Sequence, residues 1–159
     1  MERSLVYAAA PDLVSLCVDE IHPFRGRLHN RYSEKPVEIR TECDIIRSID
    51  RLCDELGFPE RALEPRTFSP RRHSRPMVRR GVKIVMSTPE LIKKNGEKGT
   101  FLVHVQYRQN ASWQGQVTWV EKQKTLCFRS ALELLKMIDG ALDSEKQEDK
   151  GDDDIEKSS

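Results

Sequence analysis

Residues 39–50 read IRTECDIIRSID, and residues 128–139 read FRSALELLKMID. Nine of the twelve aligned positions are identical or chemically alike, and both stretches pass from a strand pattern into an amphipathic helix pattern. A threonine or serine stands at the third position with an acid three residues later, which is the pattern of a helix capping box. The match predicts the same strand–helix junction twice in one chain.

The similarity extends outward from this stretch at a constant offset of 89 residues. Residues 12–54 align with residues 101–143 without a gap, and eight of the 43 pairs are identical. Runs rich in Leu and Val, separated by polar turns, indicate three strands before each helix. We therefore predict an α+β fold made of two tandem strand-strand-strand-helix units, an internal duplication packed as a pseudo-twofold pair.

Composition divides the chain into four parts. Residues 1–57 hold the first unit, and residues 81–143 hold the second. Residues 58–80 between them carry four prolines and seven arginines, which is typical of a linker. Residues 144–159 are acidic and contain no aromatic residue, which predicts a disordered tail.

The same composition argues against several classes of protein. The net charge is +1, and no apolar run approaches the roughly 20 residues of a membrane-spanning helix. The four cysteines form no Cys-x-x-Cys pair, and the four histidines show no metal-ligand spacing. These patterns predict a cytoplasmic protein with reduced thiols, no bound metal and no cofactor.

The sequence also lacks the usual signs of catalysis. It contains no Gly-x-Ser-x-Gly motif and no glycine-rich phosphate loop. His104 stands alone in a strand pattern, where a structural or solvated role is expected. We predict that the protein is not an enzyme.

One loop has the composition of a binding site, because hydrogen-bonding side chains crowd between two aromatic residues where two strands are joined. Its candidate binding residues are Tyr107, Arg108, Gln109, Asn110, Ser112, Trp113 and Gly115. The alternative is structural: the two aromatic residues fill the core, and Asn110 and Ser112 form the turn by bonding their own backbone.

The stretch from Tyr107 to Leu142 resembles a family of small bacterial proteins. The resemblance rests on Arg-Gln-Asn-Ala-Ser-Trp-Gln-Gly followed by Phe128-Arg129-Ser130 and the helix. It implies a bacterial, cytoplasmic protein, and it implies no activity and no site residues because the family has no established activity.

A second resemblance concerns a ligand. The spacing Asn110-x-Ser112-x-x-Gly115 resembles the second motif of PilZ domains, which bind cyclic di-GMP. The first motif of that family is an arginine pair that grips phosphates. Candidate phosphate-binding residues for it are Arg71, Arg75 and Arg79.

Nucleic acid is a third possible partner, since the arginines of residues 58–80 could neutralise phosphates while Trp113 or Trp119 stacks on a base. Taken together, the sequence predicts a non-catalytic binding or adaptor module, most simply for another protein. Cyclic di-GMP and nucleic acid remain the alternative partners.

Overall fold

A computed structural model of the chain describes residues 10–59, 68, 83–108 and 112–153. Six strands form one antiparallel sheet in the order β3-β2-β1-β4-β5-β6. The strands are β1 Val14–Glu20, β2 Arg25–Asn30, β3 Val37–Ile39, β4 Gly99–Tyr107, β5 Gln114–Trp119 and β6 Lys124–Phe128. The helices are α1 Glu42–Leu56, α2 Thr88–Ile92 and α3 Ala131–Asp153.

The general prediction of an α+β protein is confirmed, but the prediction of two tandem strand-strand-strand-helix units packed as a pseudo-twofold pair is wrong. Strands β1 and β4 pair directly, from Val14 opposite Val103 to Val18 opposite Gly99. This pairing joins all six strands into one sheet, and a third helix, α2, precedes β4. The physical reason is that β1 and β4 would otherwise be edges with unpaired backbone groups, and pairing satisfies those groups in the middle of the sheet.

The main core lies between one face of the sheet and the helices α1 and α3. Alternate residues of the central strands point toward this face, as the period of two in a strand requires. The fully buried members from β1 and β4 are Val14, Leu16, Val18, Phe101, Val103 and Val105. Ile45 and Ile49 of α1 and Leu134 and Ile138 of α3 join the same cluster, so both helices share one continuous core.

On the opposite face, the described residues cover the middle of the sheet. Leu91 of α2 packs with Leu13, Met86 and Leu102 in a second, smaller cluster. The backbone N–H groups of Val85 and Met86 donate to the carbonyl of Arg31, which fixes the segment before α2 against the end of β2. The central strands β1 and β4 are therefore buried on both faces, while β6 is not.

The helix starts behave as the sequence predicts. The Thr41 hydroxyl accepts from the backbone N–H of Asp44, whose carboxylate accepts from the Thr41 N–H, so the capping box is confirmed. At α3 the Ser130 hydroxyl accepts from the Glu133 N–H, while the Glu133 carboxylate accepts from the Arg129 side chain. Helix α1 ends at Gly57, whose φ of 62° lies in the left-handed region that favours glycine.

Two of the predicted segments lie partly outside the described residues. Of residues 58–80, the structure describes only 58–59 and 68. Helix α3 extends to Asp153, so it includes the first part of the stretch for which a disordered tail is predicted. Among the residues described, no helix has the length and apolarity needed to cross a membrane.

Candidate functional site

The described residues of the predicted binding loop differ in their exposure and in their contacts. Tyr107 is half exposed at the end of β4, and the Ser112 hydroxyl donates to the Arg129 carbonyl at 2.8 Å. Gln109 and Asn110 lie outside the described residues. The ends of the loop are thus described, while its tip is not.

Arg108 is built into the fold. Its side chain is only 4% exposed, and its Nη1 lies 2.7 Å from Asp54 Oδ1 and 3.2 Å from Asp50 Oδ1. Its Nε donates to the carbonyl of Pro59 at 2.7 Å. These contacts tie the end of β4 to the end of α1, so the guanidinium is already engaged within the chain.

Trp113 and Gly115 also have structural surroundings. Trp113 is buried in the main core. A Cβ added at Gly115 would collide with the carbonyl oxygen of His104 and would lie 2.8 Å from the Phe128 ring. Only glycine therefore permits the close approach of β4 and β5 at this position.

Arg71, Arg75 and Arg79 lie outside the described residues. Two residues of the second PilZ-like motif are described. Ser112 bonds the Arg129 carbonyl, and Gly115 lies where β4 and β5 approach each other closely. The reading of this motif as a cyclic di-GMP site stays a prediction.

His104 is paired with a buried carboxylate. Its Nδ1 lies 2.8 Å from Asp12 Oδ1, and the other oxygen of Asp12 accepts from the Val105 N–H at 2.7 Å. The carboxylate thereby ties the chain before β1 to β4. Gln116 and Cys127 continue the same row across β5 and β6, which places Cys127 two strand spacings, roughly 10 Å, from His104.

The four cysteines fall into two pairs by exposure. Cys17 and Cys53 are buried, and burial raises the pKa of the Cys53 thiol to about 12, which keeps it protonated and unreactive. Cys43 and Cys127 are exposed. No group of three or more His, Cys, Asp or Glu side chains in the described part of the chain could hold a metal ion.

A further candidate site is the β6 edge of the sheet. Among the strands that the structure describes, β6 pairs only with β5, so one side of its backbone has no partner in this sheet. Lys124, Thr125, Leu126 and Cys127 are all exposed, and Leu126 is 55% exposed. The opposite edge, β3, has only three residues, of which Val37 is 43% exposed and Ile39 is buried, so the two edges differ in length.

An apolar groove of about 200 Å³ lies beside Leu126, between β6 and α3. Its lining residues from the sheet are Phe101, Val117, Trp119, Lys124 and Leu126, and those from α3 are Met137, Gly140, Ala141 and Ser144. The volume is below the roughly 300–1,000 Å³ of sites that hold whole cofactors or drug-sized ligands. It suits one or two side chains of a partner.

Gly140 keeps the α3 wall of the groove open. It lies in the interior of the helix, where glycine costs about 1 kcal/mol relative to alanine. A Cβ added at this position would meet nothing within 4 Å. Packing within the described chain therefore gives no reason for glycine here, and its effect is to leave space beside Leu126.

Trp119 forms the floor of the groove and is polarised by its neighbours. Its ring stacks on Phe101 with centroids 6.3 Å apart, and the Lys122 ammonium lies 5.8 Å from its centroid. The indole Nε1 is buried and has no hydrogen-bond partner among the described residues. The floor thus combines apolar surface with one N–H donor that no described residue accepts.

The groove was missed at the sequence level. Lys124, Leu126 and Phe128 alternate like any half-buried strand, and nothing in that pattern shows that the strand is an edge. Gly140, inside a helical pattern, was the available signal.

Comparisons of the chain with protein-family models, with curated proteins and with solved structures found no match. The resemblance to a family of small bacterial proteins therefore stays a prediction.

Proposed function

We propose that this protein is a non-catalytic binding module that takes an extended segment of a partner protein as an additional strand beside β6. The observation that carries the proposal is the exposed five-residue edge strand with Leu126 next to an apolar groove. Strand addition at a sheet edge is a recurring mode of peptide recognition, in which backbone hydrogen bonds supply affinity and pockets for alternate side chains supply specificity.

The geometry supports each part of this mode. The outer side of β6 offers backbone donors and acceptors that the sheet leaves unpaired. A residue of the added strand that stands opposite Leu126 projects to the same face of the sheet, because cross-strand partners share a face. That face holds the groove, so the side chain at this position would enter it.

The added strand would also cover apolar surface that is now exposed. Leu126 and the apolar atoms of the groove would be removed from water, and burial of apolar area is the dominant favourable contribution to association. Gly140 would let the partner approach α3 without a steric cost.

Selection from a phage-displayed library of random twelve-residue peptides tests the proposal. The wild-type protein should enrich extended sequences with an aliphatic residue at a fixed position, and Leu126→Glu should not enrich them, because the carboxylate would stand at the mouth of the apolar groove. Leu132→Glu is the matched control, since Leu132 is 61% exposed on α3 and does not line the groove. Equal enrichment by wild type and Leu126→Glu, or no enrichment by the wild type, would count against the proposal.

Cyclic di-GMP and nucleic acid remain alternative partners. Both alternatives depend on arginines between residues 58 and 80 that lie outside the described residues. We also propose a cytoplasmic location, because the thiols of the described cysteines are free, as expected in a reducing compartment.

A further inference from the structure

We infer that the segment bound at β6 is acidic, with Glu or Asp two positions from the aliphatic residue that enters the groove. The inference rests on the proposed function and adds the chemistry of the partner. It is drawn from the charges beside the groove and from the period of two along a strand.

Cations stand at both ends of β6, and the two nearest acids are engaged within the chain, since Glu121 accepts from the Thr100 N–H and Glu133 pairs with Arg129. Lys122 and Lys124 stand at the turn between β5 and β6, and Lys124 also lines the groove. Arg129 follows the other end of β6, with its side chain 84% exposed and 3.4 Å from Glu133. A partner strand therefore lies between cations at both ends of the edge.

The pairing register of an added strand determines which residue of the partner segment lies opposite Lys124. Lys124 and Leu126 are two residues apart, so their side chains project to the same face of β6. A strand added beside β6 places its own alternate residues opposite these two. If an aliphatic residue faces Leu126, the residue two positions away faces Lys124 at a Cβ separation of about 5 Å.

Opposite charges at directly facing positions stabilise a strand pair, and like charges destabilise it. Lys124 therefore favours Glu or Asp at that position and disfavours Lys or Arg. The same lysine discourages pairing between two copies of this edge, because lysine on an edge strand is a common means of preventing uncontrolled strand addition. The chemistry favours a different, acidic chain over a second copy of this one.

Three matched libraries of ten-residue peptides test the inference. Each peptide has a fixed central leucine, and the positions two before and two after it are both Glu, both Gln or both Lys, so that either strand orientation is sampled. At low salt, immobilised wild-type protein should retain the Glu library about threefold more than the Gln library, which is the range of an exposed ion pair. It should retain the Lys library least, and the preference should shrink toward one at high salt because the charges are screened.

Variants locate the effect at the edge. Lys124→Gln should remove the preference for Glu over Gln while leaving retention of the Gln library unchanged. Lys136→Gln, an exposed lysine of α3 outside the groove, makes the same change in net charge and should keep the preference.

The outcomes separate the two proposals. If wild type retains the Glu and Gln libraries equally, and both above the level of Leu126→Glu, the acidic partner is refuted while strand addition stands. Retention of the Lys library above the Glu library would also refute the acidic partner while strand addition stands. If no library is retained above the level of Leu126→Glu, strand addition itself fails, and the acidic partner fails with it.

Discussion

The substitution Gly140→Ala should raise the stability of the protein and weaken its binding. Alanine is favoured over glycine in a helix interior by about 1 kcal/mol, and the added methyl group meets nothing within 4 Å in the chain. The full gain should therefore appear in the free energy of unfolding. For a chain of this size, it corresponds to a rise of about 3–4 °C in Tm.

The opposite effect on binding follows from the position of Gly140 on the groove. A methyl group in a space that a partner fills acts as overpacking, which costs about 1–3 kcal/mol in well-packed interfaces and cores. The lower half of that range is roughly a tenfold loss of affinity. Few substitutions stabilise a fold and weaken its binding together. A higher free energy of unfolding with a lower affinity would therefore indicate that a partner occupies the groove beside Gly140.

Thermal unfolding and peptide titration, made on the same preparations, give both quantities. Asp139→Ala is the matched control, because Asp139 is the adjacent exposed residue of α3 and does not line the groove. It should gain stability from helix propensity and bind as the wild type does. A Gly140→Ala protein that is stabilised but binds with unchanged affinity would show that no partner occupies the groove.

Three other predictions concern the fold and the alternative ligand. Arg108→Ala should lower the free energy of unfolding by about 2 kcal/mol in urea unfolding, since it removes a buried guanidinium that bonds Asp50, Asp54 and the Pro59 carbonyl. The substitution Arg129→Ala, at an exposed position, should cost less than about 0.5 kcal/mol. Burial, with nearby cations, lowers the pKa of His29 in the folded protein. Because the unfolded chain binds a proton at this histidine more readily, the free energy of unfolding should fall as the pH drops from 7 to 5. The substitution His29→Leu should make this dependence on pH less steep. If the PilZ-like motif is a binding site, calorimetry with cyclic di-GMP should show a heat of binding that Arg75→Ala and Ser112→Ala abolish. The absence of heat at high micromolar ligand would exclude this alternative.

The positions of the strands and helices followed from local patterns. The runs rich in Leu and Val predict strands such as β1 and β4, and Thr41 with Asp44 predicts the start of α1. These features depend on neighbouring residues only, which is why periodicity and capping chemistry can reveal them.

The arrangement of the sheet depended on long-range pairing that no local pattern encodes. Val14 and Val103 stand opposite each other although they are far apart in the sequence, and this pairing gives one sheet instead of the predicted pair of packed units. The short helix around Leu91 closes the second face. An alternating pattern shows which residues share a face, but it does not show which strand lies beside which.

The candidate loop illustrates the same limit for sites. Arg108 and Trp113 have the side-chain types of a binding surface, yet they lie in the interior as an ion-pair anchor and a core residue. Arginine and tryptophan serve both purposes, and burial alone separates them. Leu126 presents the converse case, because its core-like pattern belongs to an exposed edge.

Amide hydrogen exchange gives the most direct test of strand addition. It would be measured residue by residue, with and without a peptide enriched in the library selection. Backbone amides of β6 that face outward should exchange more slowly in the complex, because a partner strand accepts their hydrogen bonds, while the amides of β3 at the opposite edge should be unchanged. A peptide that binds but leaves β6 exchange unaltered, or slows exchange at β3 instead, would contradict β6 as the binding edge.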